Sequence, residues 1–119
     1  MPSAVMDNLG QLHVVTGKIV YTTGVPALTS NDGSATLADT TTGGATLTFG
    51  EPFVSIPAVV AQALKGTESA TFNNSVVLDS VTTSAVVFRF KADAAGTNST
   101  ADPADTDGCF FVAIGMRNV

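Results

Sequence analysis

The segment Ala45-Thr46-Leu47-Thr48-Phe49 alternates apolar and hydroxyl side chains without a break. Only an extended chain sends successive side chains to opposite faces, so this run reads as a half-buried β-strand. The pattern recurs at Ala85–Lys91, where Val86, Phe88 and Phe90 share one face and Val87, Arg89 and Lys91 the other. It recurs again at Cys109–Met116, where Phe110, Val112, Ile114 and Met116 fall together. Nowhere do apolar residues repeat at i, i+3, i+4, i+7 over three turns, so no helix is expected. Further strands are read at Gln11–Tyr21, with Gly17 as a bend, at Ala35–Leu37, at Ala58–Leu64 and at Ser75–Val81. Ala58–Leu64 is apolar enough to read as buried on both faces.

Turn chemistry separates these runs. Gly24-Val25-Pro26 ends the first, Asp32-Gly33 and Gly43-Gly44 supply positive φ, and Thr82-Thr83-Ser84 is a tight polar connection. Residues 27–44 and 92–108 read as long polar loops, which commonly carry contacts. The reading is all-β: an antiparallel β-sandwich of six to eight strands, in a jelly-roll or related topology. Residues 1–10 form an N-terminal arm, and residues 11–119 form a single domain. Phe49, Phe53, Phe88, Phe90, Phe110 and Phe111 are assigned to its core.

Composition narrows what such a domain does. Only 13% of the 119 residues are charged, about half the share of about 25% in ordinary globular chains. A surface with so few charges is poorly defended against association, which points to an oligomer or a scaffold-bound subunit. The net charge is −5, and the five basic residues Lys18, Lys65, Arg89, Lys91 and Arg117 are scattered. No basic stripe is present to neutralise phosphates, so nucleic acid is not an expected partner. No apolar stretch approaches the roughly 18 residues of a membrane helix, and the N-terminus shows no secretory pattern. Beginning at Met1 and closing on a strand-like run, the chain reads as a complete small gene product made in a cytoplasm.

Catalytic patterns are lacking. A triad would have to use His13, the one histidine, and Leu12-His13-Val14-Val15 lies in a strand run with no nucleophile elbow. Cys109 sits within Cys109-Phe110-Phe111-Val112 and reads as a buried structural thiol. Glu51 and Glu68 are the only glutamates, both in turn segments. No catalytic residue and no cofactor are therefore expected. The weak metal candidate is the acidic loop Asp102, Asp105 and Asp107, three carboxylates that could offer oxygen ligands to Ca²⁺. It lacks the alternation and closing glutamate of a helix–loop–helix calcium site, and a solvated acidic loop is the simpler reading. The triplets Asn73-Asn74-Ser75 and Asn98-Ser99-Thr100 match the glycosylation pattern, which has no use without a secretory route.

The second half has a recognisable order: Phe49-x-x-x-Phe53-x-x-x-Pro57-Ala58-Val59-Val60, then Val81-Thr82-Thr83-Ser84-Ala85-Val86-Val87-Phe88, then Phe111-Val112-Ala113-Ile114-Gly115. Over about residues 45–116 this resembles the H-type lectin-like domain found in virion proteins of tailed bacteriophages. Phe111 stands where that family closes on Trp. The resemblance implies a six-stranded antiparallel sandwich that assembles as a homotrimer, and no sugar-binding residue carries over. With the low charge it leads to the expectation of a capsid decoration (cement) protein. Such a protein sits on the virion surface, binds the major capsid protein and uses the arm and a long loop as docking elements. The alternative is a carbohydrate-binding module of a phage fibre or adhesin, with Tyr21 as its only available tyrosine.

Overall fold

A computed structural model describes residues 11–32, 34–64, 73–94, 97–100, 103 and 107–117. These form β1 (Gln11–Thr22), β2 (Val25–Asp32), β3 (Thr36–Asp39), β4 (Gly44–Thr48), β5 (Ala58–Leu64), β6 (Asn73–Val81), β7 (Ala85–Ala94), β8 (Thr97–Thr100) and β9 (Gly108–Arg117). All pairings are antiparallel. One sheet runs β2-β1-β9-β5 and the other β3-β4-β7-β6. The expected all-β sandwich is thus present with eight strands in two layers. β8 is a ninth, pairing with the far half of β7 at Lys91–Ala94, beyond the stretch Ala85–Arg89 that pairs with β4.

The core lies between the layers. Val15, Ile19 and Tyr21 of β1 and Cys109, Phe111 and Ala113 of β9 face Ala45 and Leu47 of β4 and Val86, Phe88 and Phe90 of β7. The rings meet across the gap: Tyr21 stands edge-on to Phe90 at 5.1 Å, and Phe88 lies 5.6 Å from Phe111. Burying each such ring stabilises the fold by about 1.5–3 kcal/mol.

The polar segments hold more strand than their composition suggests. β2 and β3 occupy much of 27–44, and the end of β7 with β8 occupies part of 92–108. Gly24-Val25-Pro26 does not simply break the chain. Thr23 (φ 51°) and Gly24 (φ 77°) make a two-residue hairpin turn, and Val25 opens β2 opposite Thr22. Pro26 is tolerated because β2 is an edge strand, where one side of the backbone has no ladder partner.

Residues 49–57 carry the chain from one layer to the other around one end of the sandwich. The Thr82–Ser84 turn anchors the crossing: Phe49 N–H donates to the Ser84 carbonyl and Phe53 N–H to that of Thr83, both at 2.9 Å. Val54 N–H then donates to the Met116 carbonyl at 2.8 Å, extending the edge of β9 past β5. Phe49 and Phe53 plug this end, edge to face at 4.9 Å.

The four edge strands differ in how they are guarded. β2 carries Pro26 and a bulge at Thr29, β3 is four residues long, and β6 bulges at Asp79. β5 contains no proline, charge or bulge and, among the described residues, pairs only with β9.

Candidate functional site

The runs that build β1, β9 and β5 are apolar in both alternating phases, so one phase fills the core and the other must lie outside. Across the outer face the register sets Val14 beside Ile114 beside Ala58, then Thr16 beside Val112 beside Val60, then Lys18 beside Phe110 beside Gln62. Leu12 and Met116 close the row at one end. Val60 is 69% exposed, Leu12 68% and Phe110 47%. Exposed Val54 and Ile56 flank this end. Lys18 is the one charge among these outward positions, and its Nζ lies 5.6 Å from the centroid of Phe110. None of the chain's ten carboxylates is in β1, β5 or β9.

Two sequence-based assignments are corrected here. Phe110 is not a core ring: with Cys109 and Phe111 both turned inward, the pleat sends Phe110 out. β5 is not buried on both faces: Val59 and Ala61 pack inward, while Ala58, Val60 and Gln62 meet solvent.

The outer face of the second sheet is mixed, with Val77 (42% exposed) and Val87 set among polar side chains. Thr46 and Thr48, Ser75 and Ser80, and Arg89 and Lys91 lie on it. Arg89 Nη2 contacts Asp79 Oδ2 at 2.9 Å. That hydrogen bond, and then the guanidinium charge, holds the Asp79 carboxyl below its ordinary range. The exterior of β1, β9 and β5 is therefore the more apolar of the two, and the ion pair lies on the other.

A second feature is a cleft of about 260 Å³ at the plugged end, lined by His13, Ser34, Gly50, Glu51 and Arg117. His13 lies over Phe53, with ring centroids 5.4 Å apart. Arg117 Nη1 donates to Glu51 Oε2 at 3.0 Å, and its Nη2 to Gln11 Oε1 at 3.4 Å. The cleft offers donors and acceptors at an open mouth. It joins residues far apart in the chain, which is why sequence spacing did not reveal it.

The other expected positions fall as follows. Asp107 is 2% exposed rather than part of an open acidic loop, and its carbonyl accepts the Tyr21 N–H at 2.9 Å. Asp102 and Asp105 lie outside the described residues, as does the arm 1–10. Among the described residues no group of three His, Cys, Asp or Glu could hold a metal ion. Tyr21 is fully buried, so it offers no surface for a sugar. Cys109 is buried, and desolvation pushes its thiol up to about 12.

No family model matches this chain, and neither curated proteins nor solved structures yield a match.

Proposed function

We propose that this chain is a non-catalytic structural protein of a bacteriophage virion, decorating the capsid as a homotrimer and stabilising it by binding the major capsid protein. The observation that carries the reading is the apolar exterior of β1, β9 and β5, three neighbouring strands that hold no carboxylate. Contiguous exposed apolar surface of this extent marks an interaction face, so the working form is an assembly. A subunit that binds the closed shell but not its dissociated parts stabilises the shell by mass action. Symmetric attachment at several points turns modest contacts into firm retention. The resemblance in residues 45–116 supplies the virion context.

Mass spectrometry of purified particles of the phage that encodes the chain tests this. On the order of hundreds of copies per particle, as a symmetric shell provides, is the expected result. Absence from particles, or a few copies confined to a tail or fibre, overturns it.

The alternative is a carbohydrate-binding module of a fibre or adhesin, and the end cleft with His13, Glu51 and Arg117 is the observation in its favour. Binding on a glycan array that Arg117→Ala removes, without retention on capsids, would establish that reading instead.

A further inference from the structure

We infer that the apolar outer face formed by β1, β9 and β5 is covered by the same face of other copies of this chain. The inference rests on the proposed assembly role and says which surface makes the oligomer.

Size is the first argument. The β1–β9 ladder runs from Gln11–Arg117 to Val20–Gly108. At about 3.4 Å per residue and about 4.8 Å between strands, the face measures roughly 30 by 15–20 Å. Side-chain relief brings that to the order of the ~800 Å² each partner contributes to a standard interface.

Charge is the second. Each chain carries −5, so most of its surface repels a second copy. This face does not, because β1, β5 and β9 hold no carboxylate. Its one outward cation, Lys18, lies toward the end of the face against the Phe110 ring, away from the rows of Val14, Ile114 and Val60.

Shape is the third. The face is the outside of a sheet, and the natural complement of such a surface is another sheet about 10 Å away. The chain makes this kind of packing once inside its own sandwich. The exterior of the other sheet, with Arg89 and Asp79, then stays free for the shell.

The full chain, purified without any partner, provides the test by light scattering and sedimentation at micromolar concentration. The wild type is expected as a multiple of its 12.0 kDa mass: two copies where the faces stack in pairs, three where they close about a threefold axis. Val60→Glu and Ile114→Glu are expected to run as monomers with an unchanged β circular-dichroism spectrum. Val87→Glu, on the opposite exterior, is expected to stay assembled. Because Glu variants can misfold, Val60→Cys gives a second readout. A short bis-maleimide should join its copies, while the wild type, whose Cys109 is buried, is not joined. A monomeric wild type overturns the inference, and so does an oligomer that Val60→Glu leaves intact or Val60→Cys fails to cross-link. Particle copy number is a separate measurement. An oligomer that is absent from particles leaves this inference standing and removes the capsid reading.

Discussion

The ring of Phe53 fills the space that a side chain at position 115 would need: a Cβ on Gly115 would lie 2.7 Å from Phe53 Cδ1 and 3.2 Å from Pro57 Cβ. Phe53 has little room to yield. Its N–H is held by Thr83, its edge meets Phe49, and His13 lies over it. Gly115→Ala should therefore cost about 1–3 kcal/mol, the usual penalty of overpacking a filled site. Urea denaturation measures it, and Phe53→Leu in the same chain should recover part of the loss. A neutral Gly115→Ala would show that the ring moves freely.

Cys109 gives the fold a dependence on alkaline pH. Burial lifts its thiol from the ordinary 9.0 to about 12. The folded chain therefore keeps a proton that the unfolded chain releases. Its contribution is complete below pH 9 and is lost as pH rises from about 9 toward 12. Stability of the wild type should fall between pH 8 and pH 10.5 by more than that of Cys109→Ala over the same range. In the folded wild type at pH 8 a thiol reagent should react only as fast as the chain unfolds.

The β6–β7 turn depends on one hydroxyl. Thr82 Oγ1 accepts from Ser84 N–H at 3.2 Å and Ala85 N–H at 3.0 Å, and the same turn holds Phe49 and Phe53. Thr82→Val keeps the branched shape and removes the acceptor. It should cost about 1–2 kcal/mol at the usual worth of two such bonds, with faster exchange of the Phe49 and Phe53 amides. Unchanged exchange there would separate the turn from the crossing segment.

Phe88 and Phe111 carry packing between the layers. Each truncation to Ala should destabilise by about 3–5 kcal/mol. A double-mutant cycle should return a coupling of about 0.5–1.5 kcal/mol, as for other ring pairs at this distance. Additive effects would mean that the two layers repack independently.

Period-2 runs located most of the strands: β1, β4, β5, β6, the start of β7 and β9 coincide with alternating or apolar segments. β3 overlaps the strand read at Ala35–Leu37, while β2 and β8 lie in Thr-, Ser- and Asp-rich stretches. The strand character of β2 and β8 comes from pairing with β1 and β7, and local composition does not report it. Phe110 and Val60 expose a deeper ambiguity. In β9 and β5 both phases of the alternation are apolar, so either could have faced inward. The opposite layer decides, because Phe88 sits over Phe111. The exposed apolar face is what the unused phase becomes. The end cleft was illegible because His13, Ser34, Glu51 and Arg117 come from four separate places in the chain.

The unguarded edge of β5 has a consequence for anyone handling the protein. Ala58–Leu64 is short, uncharged and free of proline and glycine, the profile of segments that stack into cross-β fibrils. Concentrated or warmed solutions should thicken through this stretch first, and a lysine in place of Gln62 would keep them clear.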